Sequence, residues 1–91
     1  MLTIKRTSQF KQDFRKIIRQ GYDTRIFFEI IDKLARQEKL EEKYNDHALK
    51  GNWKKFRECH IAPDWLLIYL KDDENLILTL IRTGNHNDLF N

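Results

Sequence analysis

The stretch Trp65-Leu66-Leu67-Ile68-Tyr69-Leu70 decides the fold. It is the longest unbroken apolar run in the chain, six residues, and it is rich in aromatic and aliphatic side chains. Such a run bounded by turn signals reads as a central strand. Ile61-Ala62-Pro63-Asp64 precedes it, with Pro63 fixing its own φ and Asp64 tolerating turn geometry, and Asp72-Asp73-Glu74-Asn75 follows it. Trp53 to His60 and Leu76 to Arg82 then read as flanking strands, which makes the C-terminal part an antiparallel meander.

Toward the N-terminus the period changes from two to 3.6. Ser8 is the expected N-cap of a helix whose apolar stripe is Phe10, Phe14, Ile17 and Ile18, and Gly21 sits where such a helix stops. Asp23 or Thr24 caps a second helix with Phe27, Ile30, Ile31 and Leu34 on one face, widened by Ile26 and Phe28. That helix fades in the charged stretch Arg36 to Lys43. Leu2 and Ile4 alternate with polar residues, which predicts a short opening strand, and residues 45–52 read as a loop. The expected fold is α+β, β-α-α-β-β-β, a helical hairpin packed on a small antiparallel sheet, in one domain over residues 1–91. The two helices also resemble a helix-turn-helix, but a recognition helix presents polar side chains to a groove, and 26–34 is apolar on most faces.

The chain has 91 residues, 41% hydrophobic and 34% charged, with three Gly and one Pro. That composition excludes collagen-like, low-complexity and disordered classes. No apolar run approaches the ~20 residues of a membrane helix, and the N-terminus turns polar too soon for a secretory signal. The lone cysteine, Cys59, forms no internal disulfide, which fits a soluble protein of the reducing cytoplasm.

The net charge is +3, unevenly spread: residues 1–43 carry 11 basic and 7 acidic side chains, whereas residues 44–91 carry 6 and 7. Lys50, Lys54, Lys55 and Arg57 lie close together with no acid between Lys50 and Arg57. A modest positive field suits a polyanion or an acidic partner, and an ordinary solvated face has the same composition.

In a meander, the end of the strand at His60, the turn at Asp64 and the end of the strand at Arg82 fall at one sheet edge, and His86 leaves from it. His60, Asp64, Arg82 and His86 are therefore expected to converge. His47 precedes the opposite end of its strand, but six extended residues span roughly 20 Å and can return it. Histidine is the side chain that both donates and accepts protons near neutrality. A pair suits RNA cleavage by the 2′-hydroxyl: a base removes the 2′-OH proton, the oxygen attacks phosphorus, and an acid protonates the leaving 5′-oxygen. Cations stabilise the charge that develops on the phosphate, and no metal is needed. Against this, single exposed histidines are common, and Asp64 after Pro63 also serves as a plain turn residue. Trp53, Trp65 and Tyr69 read as packing. Phe90 either closes the sheet edge or stacks on a base. Cys59 points away from His60, because successive strand side chains alternate. His47, His60, His86 and Asp64 match no compact zinc-ligand spacing.

The pattern Asp46-His47-x-Leu49-x-Gly51-x-Trp53-x-x-x-Arg57-x-x-His60-x-x-Pro63-Asp64-Trp65-x-Leu67-Ile68-Tyr69, followed by Arg82-Thr83-Gly84-x-His86-x-x-Leu89-Phe90, resembles the YafQ-like branch of the RelE/ParE toxin superfamily. The resemblance implies a toxin of a type II toxin–antitoxin module, a ribosome-dependent endoribonuclease that cuts mRNA in the ribosomal A site without a cofactor. It implies His47, His60, Asp64 and His86 as the catalytic set, with Phe90 near the scissile nucleotides. His86 is expected to act on the phosphodiester with His60 as its counterpart, and Asp64 to orient an imidazole. Lys50, Lys54, Lys55, Arg57 and Arg82 become contacts to phosphate or ribosomal RNA by charge alone. A cognate antitoxin with an acidic wrapping segment is implied, with operator DNA bound only through it. The free toxin is expected to be a monomer and the complex a heterotetramer. The alternatives are a non-enzymatic toxin that blocks DNA gyrase, as the ParE branch does, and an RNA-binding module that stalls translation without cutting.

Overall fold

The computed structural model describes residues 1–90. Five strands form one sheet: β1 (Thr3–Arg6), β2 (His47–Ala48), β3 (Arg57–Ala62), β4 (Trp65–Asp72) and β5 (Ile77–Gly84), in the order β1-β5-β4-β3-β2. The apolar run 65–70 starts β4, the central strand, and Trp65, Leu67, Ile68 and Tyr69 are buried. β3, β4 and β5 run antiparallel, as expected, and β2 also pairs antiparallel with β3. In contrast, β1 joins β5 in parallel, from Thr3 beside Ile77 to Arg6 beside Leu80. A parallel pair needs a long crossover rather than a hairpin, and the intervening chain supplies one.

Two helices follow β1: α1 (Ser8–Arg19) and α2 (Thr24–Ala35). The N-cap of α1 is Thr7 rather than Ser8. The Thr7 hydroxyl accepts from the Phe10 amide at 2.9 Å and donates to the Ile81 carbonyl at 2.8 Å. It caps the helix and ties it to β5 at once, which decides between two adjacent hydroxyls of similar capping strength. Asp23 caps α2 by accepting from the Arg25 amide at 3.0 Å. Between the helices Gly21 holds φ +82°, a conformation costly for other residues. The inward faces meet the sheet through an aromatic stack. Phe27 lies flat on Trp65 at 6.0 Å between ring centroids, with Phe10 and Phe14 beside it. Burying each such ring stabilises the fold by roughly 1.5–3 kcal/mol.

Residues 45–52 are not simply a loop, because His47 and Ala48 pair with the edge of β3. The next strand begins at Arg57 rather than Trp53. Residues Gly51–Trp53 form a 3₁₀ turn, and the Phe56 amide donates back to the Trp53 carbonyl at 2.9 Å. Trp53 is 37% exposed, which corrects its reading as packing; Trp65 and Tyr69 are buried as expected. After β5 the chain folds back as α3 (His86–Phe90), and Leu89 packs with Leu66 and Ile68 in a second small core on the sheet face away from α2.

Candidate functional site: a histidine face at the open end of the sheet

Side chains alternate along β3. Cys59 and Ile61 join the core beneath the helices, so Glu58 and His60 share the opposite face with Leu66 and Ile68, their partners on β4. β2 lies antiparallel to β3 with His47 opposite Glu58. Pairing, rather than a returning loop, thus brings His47 to His60, and the two rings are 6.3 Å apart. His60 lies beside Leu66 and Leu66 beside Gly84. With strands about 4.8 Å apart, the His60 and Gly84 backbones are separated by about 10 Å. His86 opens α3 two residues later, exposed, with its ring 4.9 Å from that of Phe90. The Asn85 side chain accepts from the Asp88 amide at 2.8 Å and caps this last turn. Beside His60 a cleft of about 350 Å³ opens, lined by Lys43, Tyr44, Asn45 and Pro63 among others.

His47 is held at both ring nitrogens. Nδ1 lies 2.6 Å from the Asn45 carbonyl, and Nε2 lies 3.1 Å from Oε2 of Glu58, a buried carboxylate 7% exposed. A carbonyl only accepts, so Nδ1 carries its hydrogen. The second contact is then satisfied when a proton sits between Nε2 and Glu58.

The other expected site residues divide. Asp64 stands in the β3–β4 turn at the same end of the sheet, and its carboxylate accepts from the Tyr22 hydroxyl at 2.8 Å. That bond raises the Tyr22 pKa. Arg82 reaches this end too, but its guanidinium is gripped by Asp13 of α1, Nε and Nη2 each 3.0 Å from a carboxylate oxygen. Burial alone would raise the Asp13 carboxyl; bonds from Arg82, Gln9 and the Thr83 amide outweigh it and hold the carboxyl below its usual range. Arg57 is engaged likewise, its Nε 3.3 Å from both Asp46 Oδ1 and the Tyr69 hydroxyl. Burial and Asp46 push the Tyr69 pKa up. Lys50, Lys54 and Lys55 remain exposed in the loop before β3. Cys59 is fully buried and burial pushes its thiol well up, which leaves it inert.

Glu58, Asp13 and Tyr22 did not emerge from the sequence. Glu58 was within reach, since alternation puts it on the face of His60. Nothing local pointed to Asp13 or Tyr22, whose partners lie 69 and 42 residues away. Among the described residues no three His, Cys, Asp or Glu side chains converge as a metal site.

Residues 2–91 match the family model described as "Bacterial toxin of type II toxin-antitoxin system, YafQ". The mRNA interferase toxin YafQ of Escherichia coli K12 is 49% identical over 47 residues, 52% of this chain and 49% of that protein, so the match spans about half of the curated relative. The crystal structure of a copper-bound mutant toxin from Helicobacter pylori superposes with a TM-score of 0.94 at 44% identity, covering 99% of this chain and all of that one. YafQ in the E. coli DinJ–YafQ complex superposes at 0.90 and 32% identity, covering 100% of both chains. No helix among the described residues is long and apolar enough to cross a membrane. The family model spans nearly the whole chain and the YafQ structure superposes over all of it, so the chain belongs to the YafQ family of bacterial type II toxin–antitoxin toxins.

Proposed function

We propose that this chain is an mRNA endoribonuclease acting on messenger RNA in the ribosomal A site. One observation carries the reading: the His47 and His60 rings lie 6.3 Å apart on one face, at the end of the sheet where β5 delivers His86. His60 and His86 serve as the acid–base pair. One takes the proton of the 2′-hydroxyl, whose oxygen attacks phosphorus, and the other protonates the departing 5′-oxygen. His47, set against Glu58, stands beside them, and Asp64 orients the imidazoles from the turn. Lys50, Lys54 and Lys55 meet phosphates, and Phe90 lies beside the scissile nucleotides. Arg57 and Arg82, already paired with Asp46 and Asp13, act more through the positions they fix than as free cations.

The interferase name of the E. coli relative supports the substrate, and the DinJ complex supports an antitoxin partner. A net charge of +3 suits an acidic wrapping segment. The free toxin is a cytoplasmic monomer, and the complex is a heterotetramer that reaches operator DNA through the antitoxin. Primer extension on a defined mRNA in a reconstituted translation system tests this, with a ribosome-free control. Discrete new 5′ ends that require the ribosome are expected. Uncut mRNA with protein that still arrests growth would overturn the nuclease reading.

A further inference from the structure

Trp53 stands out because nothing in its own segment explains its exposure. It sits on the 3₁₀ turn Gly51–Trp53 with over a third of its surface in water, a costly place for the largest apolar side chain. It is not loosely placed. The Leu49 amide donates to the Phe56 carbonyl at 3.0 Å, closing the loop, and the Phe56 amide donates to Trp53 itself at 2.9 Å. The indole meets the Phe56 ring at 5.6 Å and the Phe90 ring edge-on at 6.1 Å. Phe90 in turn touches His86 at 4.9 Å. An aromatic chain thus runs from the basic loop to the histidine on α3, with Lys54 and Lys55 following Trp53 directly.

We propose that the Trp53 indole, braced against Phe90, is a stacking platform for one nucleobase of the RNA strand next to the bond presented to His86. Every base offers a π face, so an exposed, braced indole with ammonium groups beside it binds a single-stranded nucleotide through base and phosphate together. The 76° angle between the two rings leaves an L-shaped corner, in which a base lies flat on one ring and meets the other with its edge. The corner sets which base fits, so Trp53 is also a determinant of cleavage preference.

This inference rests on the endonuclease reading, and the test separates the two. Cleavage of a defined mRNA is compared in the reconstituted system for the native protein, Trp53→Leu and Trp53→Tyr. Leucine keeps apolar packing on Phe56 and Phe90 but cannot stack. It is expected to lower kcat/KM by about 5- to 150-fold, the range for losing one stacked base, and to flatten the distribution of cut sites. Tyrosine restores part of the rate. Trp53→Gln, suited to an exposed site, replaces leucine if that variant does not fold. Native protein that cuts while Trp53→Leu cuts at the same rate and the same sites would overturn the platform and leave the nuclease standing. Equal losses in the leucine and tyrosine variants would do the same, since they would mark a packing role. Native protein that does not cut removes both.

Discussion

The imidazole of His47 and the carboxylate of Glu58 face each other across two paired strands, Nε2 to Oε2 at 3.1 Å, with Glu58 almost wholly buried. Removing either partner leaves the other unsatisfied on a face that also carries His60. Thermal unfolding of the single and double variants of Glu58→Gln and His47→Ala is expected to give a coupling energy of about 1 kcal/mol. Additive losses would show that the pair exerts no mutual hold.

His86 is exposed at the start of α3. Replacing it with alanine removes only its exposed ring contact with Phe90, so the stability of His86→Ala should stay within about 0.5 kcal/mol of the native protein. Its cleavage should fall by at least the ~10²-fold assigned to positioned acid–base groups. Primer extension beside a melting curve measures both. A folded variant that still cuts at the native rate removes His86 from the chemistry.

Asp13 closes the edge of β5 beyond the reach of β1. It accepts from Arg82 twice and from the Thr83 amide at 3.2 Å. Asp13→Ala orphans these donors and should cost about 2 kcal/mol, the order of lost bonds to a charged group. That corresponds to a drop of roughly 10 °C in Tm. The pH dependence follows the same bonds. The folded-state pKa of Asp13 is depressed, so its contribution is complete above its unfolded value and is lost as pH falls through the folded one. Acid titration of Tm should therefore show a smaller acid-side loss in Asp13→Ala than in the native protein.

Gly84 ends β5 with φ +155°, two residues before His86. An added Cβ would meet the Asp88 and Leu89 side chains at an ordinary 3.5 Å, so space is not the obstacle. The backbone conformation is, and Gly84→Ala should cost about 1–3 kcal/mol of stability. Relief of that strain moves the start of α3, and cleavage at a temperature well below the melt should fall as well. Unchanged melting would show that alanine adopts this geometry freely.

The element order was legible because helix and strand periods are local. The stripe from Phe10 to Ile18 and the run Trp65 to Leu70 each announce their own conformation over one or two turns of chain. The strand directions then followed from the short turns at Pro63-Asp64 and Asp72 to Asn75, and with them the gathering of His60, Asp64 and His86 at one end. The residues of the candidate site were likewise readable as residue types in a spaced pattern.

Tertiary structure alone decided which partner each of those side chains meets. Arg82 turned to Asp13, Arg57 to Asp46 and Tyr69, and Asp64 to Tyr22, whereas His47 found Glu58. It also placed β1 parallel to β5 and left Trp53 at the surface rather than in the sheet. The reason is range. A period of two or 3.6 residues acts through neighbours along the chain, but a hydrogen bond forms only within about 3 Å. The groups that come that close across dozens of residues are chosen by how the helices and strands pack.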